Sequence, residues 1–257
     1  MKKFLTLTSV LITSWLSAQI ASMEAYVIYE GKDNDYRKIE NFVAPLKAMA
    51  VKEGNLVQWI VMKRKSGGDL TSIDKSTEIA TYLVFNVYKD RAQMESDDWN
   101  NYRGYANNIY KNKMSKSSIS KMFSLIEGGK VKKQVRQYLI QGLYQTASFR
   151  PQIGDVITLD PMEALNEDYE SFELEFFKPR WQKVIDNGGL RMWGFAKVIS
   201  SNDNAYKNLT HFVFKNPTGL PISFDENSFL DSKLEAMGMK SRKIYNGATM
   251  EIIHIVN

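Results

Sequence analysis

Residues 35–64, DYRKIENFVAPLKAMAVKEGNLVQWIVMKR, recur in outline at residues 168–198, DYESFELEFFKPRWQKVIDNGGLRMWGFAKV. With a shift of one residue after the Asp-Tyr pair, a proline, a glycine and a tryptophan coincide: Pro45 with Pro179, Gly54 with Gly188, and Trp59 with Trp193. Further along, TYLVF at 81–85 matches THFVF at 210–214. The same residue types recur in the same order, which indicates that one unit is written twice in the chain.

Each copy has the same predicted order of elements. Apolar residues recur at spacings of three and four over 35–52, which predicts a helix there, and its counterpart covers 168–186. Asp35 and Asp168 could cap these helices, and Gly54 and Gly188 stand where they would end. Because proline removes a helical hydrogen bond, Pro45 and Pro179 predict a bend common to both copies. Short apolar runs predict four strands per copy: 25–29, 56–62, 80–87 and 135–144, then 155–159, 190–199, 209–214 and 249–256.

With a second helical stretch before the last strand, the order in each copy is β-α-β-β-α-β, the ferredoxin-like arrangement. Two such units resemble the dimeric α/β-barrel superfamily, in which two sheets close into one barrel. The resemblance covers nearly the whole chain after residue 18 and implies an α+β fold of tandem ferredoxin-like units with antiparallel sheets. We expect the first repeat at 19–150 and the second at 151–257, forming a pseudo-dimeric α/β barrel within one chain. A duplicated chain can complete its own barrel, so we expect a monomer.

Residues 1–18 have the order of a secretory signal peptide. Lys2 and Lys3 precede an uncharged apolar stretch, 4–16, and small residues follow at a plausible cleavage point. The stretch is short for a membrane span. We therefore expect an exported protein, periplasmic or extracellular in a Gram-negative-type bacterium. The chain has no cysteine, so its core must hold the fold without disulfides.

The charge of the chain is mild. The formal net charge is +5, and two of the positive charges are the lysines of the leader. Nucleic-acid-binding proteins carry clustered basic residues, so this composition does not suggest a nucleic-acid partner. No later segment is apolar enough to predict a transmembrane helix.

The two copies differ most between their third and fourth strands. The first copy has residues 88–134 there, whereas the second has only 215–248. Such an insertion commonly forms a lid or a contact surface. It contains Asp97-Asp98 beside Trp99, a pair that could serve sugar chemistry. Adjacent residues point in different directions on a helix, however, so a solvated helix start is the simpler interpretation.

The candidate site residues are histidines and repeated aromatic residues. His211 occupies the place that Tyr82 holds in the first copy, and His254 lies in the last strand. Either histidine could be a general base or a haem ligand, although a hydrogen-bonded histidine of a sheet is the simpler interpretation. Trp59 and Trp193 are core residues or walls for a flat apolar ligand. His211 is a weak catalytic candidate, and the ligand-binding candidates are Trp59, Tyr82, Trp193, His211 and His254. No metal is expected, because two histidines without cysteine cannot supply a structural zinc site.

Three classes of function remain open. The chain contains no GxSxG, no P-loop and no strand-linked GxGxxG motif. We therefore favour an exported small-ligand-binding or accessory protein of the cell envelope, whose unknown ligand is small and apolar or aromatic. The first alternative is a haem-dependent or cofactor-free enzyme of the oxygenase type in the superfamily that the chain resembles. The second is an envelope interaction protein that uses the insertion at 88–134 as its contact surface.

Overall fold

The computed structural model describes residues 19–75, 78–146, 149–224 and 228–257. The predicted signal peptide at 1–18 lies outside the described residues. Helices and strands follow in this order: β1 Ile20–Ile28, α1 Asp33–Lys52, β2 Gln58–Gly67, β3 Tyr82–Tyr88, α2 Arg91–Ser96, α3 Trp99–Tyr110, α4 Lys116–Glu127, β4 Lys132–Gln145, β5 Val156–Ala164, α5 Tyr169–Ser171, a π-helical turn Phe172–Phe177, α6 Lys178–Asp186, β6 Leu190–Ser201, β7 His211–Pro217, α7 Phe229–Lys240, β8 Arg242–Ile244 and β9 Ala248–Val256. Within the described residues, every helix is too short or too polar to cross a membrane.

Eight of the strands form one closed antiparallel barrel. The order around it is β7-β6-β4-β1-β3-β2-β9-β5, and β5 pairs back with β7. The short strand β8 pairs only with β5 and lies outside the ring. The first half has the order β4-β1-β3-β2 and the second the same order, β9-β5-β7-β6; the halves join at β4–β6 and β2–β9.

Alternate residues of each strand face the barrel interior or the helices. In β2, Ile60 and Met62 belong to the interior core, whereas Trp59 and Val61 belong to the core beneath α1. The same holds in β7, where Phe212 points inward and Val213 points outward. The barrel wall therefore packs on both faces, against the interior core on one side and against the residues of the outer face on the other.

The helices begin differently from what the sequence predicts. Asp35 does not cap α1; it lies in the first turn, where its carboxylate accepts hydrogen bonds from Lys32 at 3.1 Å and Lys38 at 3.2 Å. Asp168 precedes α5 without a capping side-chain hydrogen bond. Pro45 lies inside one continuous helix, whereas a π-helical turn immediately precedes the segment that contains Pro179.

The π-helical turn explains the one-residue shift between the repeated segments. Such a turn joins residues five apart instead of four, so it holds one extra residue. Its span, Phe172–Phe177, is where the spacing between the copies changes by one. The extra residue of the second copy is thus absorbed without displacing Pro179 or Trp193 from the places that match Pro45 and Trp59.

Gly54 follows the end of α1, and a substitution there tests whether its backbone conformation is needed to end the helix. Its φ is +76°, in the left-handed region that disfavours a side chain, so Gly54→Ala should destabilise the protein by about 1 kcal/mol. Gly104 is the matched control, because it lies within α3 outside the left-handed region and an added methyl group would meet open space. Gly104→Ala should stabilise the protein by about 0.5–1 kcal/mol. Urea denaturation of both variants checks the sign, and equal effects would contradict this account.

Candidate functional site

A cavity of about 320 Å³ lies between the outer face of the first-half barrel wall and the helices that cover it. We call it the outer-face cavity. Strands β1, β2, β3 and β4 form its floor, and α1, the end of α2, α3 and the end of α4 form its roof. Its charged and aromatic lining residues are Glu24, Tyr26, Glu40, Lys47, Trp59, Tyr88, Asp97, Trp99, Tyr102 and Lys132.

Local structure brings the charged residues together. Glu24 faces outward because β1 alternates, with Met23 and Ala25 in the barrel core. Glu40 and Lys47 are seven residues apart in α1, which is close to two helical turns and puts both on the face that packs on the sheet. Both side chains are buried: Glu40 is 4% and Lys47 is 6% exposed.

Lys47 is held by residues of the insertion. Its Nζ donates a hydrogen bond to the Tyr102 hydroxyl at 3.0 Å and lies 4.0 Å from Asp97 Oδ2. The Tyr88 hydroxyl donates to the same Asp97 oxygen at 2.7 Å. Burial lowers the pKa of Lys47, and the nearby Asp97 carboxylate opposes that shift. Trp99, which is 43% exposed, has its ring 5.9 Å from Lys47 Nζ at the edge of the cavity.

Two carboxyl groups face the cavity without a direct ion pair. Burial raises the pKa of Glu40 to about 7. Burial also raises the pKa of Glu24, which accepts a hydrogen bond from the Tyr26 hydroxyl, although Lys132 opposes the shift. Among the described residues, no basic side chain lies within ion-pair distance of either carboxylate. The cavity therefore holds a carboxyl group that changes its charge near neutral pH.

The second half has acids at the corresponding positions. Glu173 follows Tyr169 by four residues, as Glu40 follows Tyr36, and both tyrosines are fully buried. Glu173 is 1% exposed and forms an ion pair with Arg242. The two halves thus differ in the ion pair of this glutamate, because among the described residues no arginine forms an ion pair with Glu40 as Arg242 does with Glu173.

The strands show the same contrast. Glu24 is opposite Val84 in the β1–β3 ladder, and Asp160 is opposite Val213 in the matching β5–β7 ladder. Asp160 pairs with Lys215 at 2.6 Å. In the second half, both corresponding acids are neutralised by a direct partner, whereas in the first half they face a cavity. A strongly perturbed carboxyl group in a cavity is typical of a functional site.

Of the residues singled out from the sequence, Trp59 lines the outer-face cavity and is 1% exposed. The half-buried His254 has its ring 5.9 Å from that of Trp59. Tyr82 lies beneath the start of α1, where its hydroxyl donates to Asp33. Trp193 is buried on the outer face of the second half. The structure therefore brings Trp59 and His254 together but does not gather all five residues into one site.

His211 is enclosed on the second half of the barrel and is 3% exposed. Its Nδ1 lies 2.9 Å from Thr210 Oγ1, and its Nε2 lies 3.2 Å from a carboxylate oxygen of Glu170. Its ring stacks on Phe195 with 5.1 Å between the centroids. Burial lowers the pKa of His211. Both nitrogens have partners and the ring is packed, so these surroundings do not fit an axial haem ligand. Among the described residues, no group of three or more His, Asp or Glu side chains could hold a metal ion.

The sequence interpretation did not identify Glu24, Glu40, Lys47 or Asp97. A signal was present in α1, because two charged residues seven apart fall among the apolar positions 39, 43 and 46. The interpretation of Asp97-Asp98 as a solvated helix start holds for Asp98, whose carboxylate accepts from the Asn100 N–H at 2.9 Å. Asp97 instead points inward, with its side chain 8% exposed.

Comparisons with known proteins locate the fold. No family model matches the chain, and a search of curated proteins finds no match. Solved structures do match: a candidate monooxygenase of Fusobacterium nucleatum has a TM-score of 0.55 at 9% identity, covering 94% of this chain and 95% of that one. A second candidate monooxygenase, from Lactobacillus acidophilus, has a TM-score of 0.50 at 12% identity, covering 93% and 96%. An anthrone oxidase-like protein has a TM-score of 0.49 at 10% identity, covering 93% and 92%.

The chain has the dimeric α/β-barrel fold. This agrees with the resemblance seen in the sequence, and at such low identity the likeness concerns the fold alone.

The raised pKa of Glu40 has a consequence for stability. The pKa of Glu40 is about 7 in the folded protein, whereas its ordinary value is 4.5, so the folded protein favours the protonated form. The free energy of unfolding therefore falls as the pH rises from 4.5 to about 7. Relative to Glu40→Gln, the wild type should lose up to about 3 kcal/mol of unfolding free energy between pH 5 and pH 8. Urea denaturation across this range measures the difference. Glu127→Gln is the control, because Glu127 lies at the surface. Parallel pH profiles for wild type and Glu40→Gln would contradict the assignment.

Proposed function

We propose that this chain is a cofactor-free enzyme of the oxygenase type that removes a proton from a small aromatic substrate in the outer-face cavity. The observation that carries the proposal is that one cavity contains both Glu40, a carboxyl group with a pKa of about 7, and the buried amino group of Lys47. A proton acceptor works best when its pKa lies near the operating pH. Burial without an ion pair gives Glu40 that property.

Each residue then has a chemical role. Glu40 accepts the proton, and Lys47 stabilises the negative charge that develops on the substrate. Tyr102 and Asp97 position the Lys47 ammonium group through the contacts described above. Trp59 supplies an apolar wall suited to a flat ring.

The proposed substrate class follows from this lining. A hydroxylated aromatic molecule can place its ring against apolar walls and its hydroxyl group toward Lys47. Loss of a proton leaves an electron-rich anion, which dioxygen oxidises without a metal or a flavin. One oxygen atom becomes a carbonyl oxygen of the product, and the other leaves as water with the two hydrogens lost from the substrate carbon. The His211 surroundings, which do not fit haem, favour this cofactor-free form of the enzyme hypothesis.

The fold comparison supports an enzyme over a binding protein of the envelope. Two solved structures that share the fold are described as candidate monooxygenases. The insertion also contributes directly to the cavity through Asp97, Trp99 and Tyr102. That placement favours a role for 88–134 as a wall of the site over a role as a contact surface for another protein.

We extend the proposal to the organisation of the chain. We propose that 19–150 and 151–257 are tandem ferredoxin-like units, and the equal strand order of the two halves supports this. The two tryptophans also have matching places in the sheet. Trp59 is opposite Asn86, which follows Tyr82 by four residues in β3. Trp193 is opposite Lys215, which follows His211 by four residues in β7. We also propose that the protein is exported, which rests on the order of residues 1–18. A monomeric state is part of the proposal too, and it rests on the closed barrel.

Oxygen uptake tests the proposal directly. The purified protein, dialysed against a chelator, should consume oxygen with anthrone or a dihydroxynaphthalene in an oxygen-electrode assay. Glu40→Gln should lower kcat/KM by about 100-fold, because it removes the proton acceptor. Lys47→Met should lower it similarly. Glu170→Gln, at the His211 cluster of the second half, is the control and should stay within about twofold of wild type, since it leaves the outer-face cavity unchanged.

Two results would overturn the proposal. One is that the protein causes no oxygen uptake with either anthrone or a dihydroxynaphthalene. The other is uptake that falls with Glu170→Gln but not with Glu40→Gln, which would move the chemistry to the second half.

A further inference from the structure

A second cavity, of about 160 Å³, lies inside the barrel. We call it the interior cavity. It occupies the end at which β1 and β2 begin and β4 ends, marked by Gln19, Gln58 and Gln145. The barrel wall separates it from the outer-face cavity, because β2 turns Ile60 toward the interior and Trp59 toward the helices.

The lining of the interior cavity selects for uncharged molecules. None of the described residues that line it is charged, and its aromatic and thioether side chains include Phe85, Phe214, Met62 and Met192. A charged ligand would lose its hydration there without a compensating partner. The three glutamine side chains at the barrel end can hydrogen-bond one polar group of a ligand.

Small residues create the space. An eight-stranded barrel is normally just wide enough for side chains to fill it. At this end, however, Ala21 of β1, Gly142 of β4 and Ala196 of β6 line the cavity, and Gly142 is directly opposite Ala196. Elsewhere in the barrel core, Tyr138 and Phe212 pack edge to face with 5.3 Å between the ring centroids. The larger empty space of the barrel interior therefore lies at this end, where the residues are small; the space at the opposite end is about 60 Å³.

At Gly194 of β6, packing does not require a residue as small as glycine. Its backbone is not in the left-handed region, so any residue could adopt it. An added Cβ would be 3.4 Å from Met192 Sδ and 3.7 Å from Phe214 Cβ, which is ordinary contact. Glycine within a strand weakens it, since it orders a flexible backbone and buries no side chain. Neither backbone strain nor crowding explains a glycine that keeps this space open.

We propose that the interior cavity is a second binding site, for one small uncharged aromatic or aliphatic molecule. Its volume is similar to that of an engineered protein cavity of roughly 150 Å³ that binds benzene or xenon. The site is independent of the proton-abstracting site, because the two cavities use opposite faces of the same strands.

Indole is a suitable probe, since it is flat, uncharged and carries one hydrogen-bond donor. Isothermal titration of the full-length protein should give saturable binding of one indole per chain. Ala196→Leu fills the interior cavity and should weaken this binding by at least about tenfold. Gly194→Ala is a milder filling variant and guards against a folding defect in the first. Both filling variants should also raise the thermal midpoint, whereas Lys47→Met, in the outer-face cavity, should bind indole as the wild type does.

Three outcomes would overturn this inference. The wild type could fail to bind indole, or binding could survive both filling variants unchanged. Binding could also be lost in Lys47→Met and kept in Ala196→Leu, which would place indole in the outer-face cavity. Because none of these measurements uses oxygen uptake, failure of the interior site and failure of the proposed enzyme activity are distinguishable.

Discussion

Pairing of β5 with β7 closes the sheet, and the rest of the structure depends on that closure. Each of the eight barrel strands then has two neighbours, so no barrel edge is left unpaired among them. Closure also divides every strand into residues that fill an interior and residues that need a cover of helices. Both cavities follow from this division. One is space left inside the barrel by small residues, and the other is space between the wall and the helices of the first half.

The two halves use the same scaffold with different electrostatics. Glu173 and Asp160 each have a direct basic partner, Arg242 and Lys215, and such pairs offset the cost of burying charge. Glu40 occupies the position that matches Glu173, but among the described residues no basic side chain lies within ion-pair distance of it, and its neighbour is the Tyr36 hydroxyl. A buried carboxyl group without a basic partner is costly to keep, so its persistence beside a cavity is better explained by chemistry than by stability. The second half thus serves as an internal comparison for the first.

The sequence predicted the repeated elements well because the repeat depends on local properties. Pro45, Gly54 and Trp59 each recur with a local meaning, as a helix constraint, a helix end and an outward strand position. Within the described residues, the α+β class and the closed antiparallel barrel agree with that prediction. The cluster around Lys47 could not be predicted in the same way, because Asp97 and Tyr88 reach it from elements distant in sequence. The sequence also did not reveal β8, which has only three residues and pairs only with β5.

Glu40 is a buried carboxyl group whose pKa lies near neutral pH, since it lacks the basic partner that Glu173 has. Infrared difference spectroscopy of the protein between pH 5 and pH 8 measures this directly, through the carbonyl stretch of a protonated carboxylic acid. We expect a band that disappears as the pH rises, with a midpoint of about 7, and that is absent in Glu40→Gln. A Glu40 carboxyl that is already fully ionised at pH 5, or a band with a midpoint of about 7 that is unchanged in Glu40→Gln, would contradict this assignment.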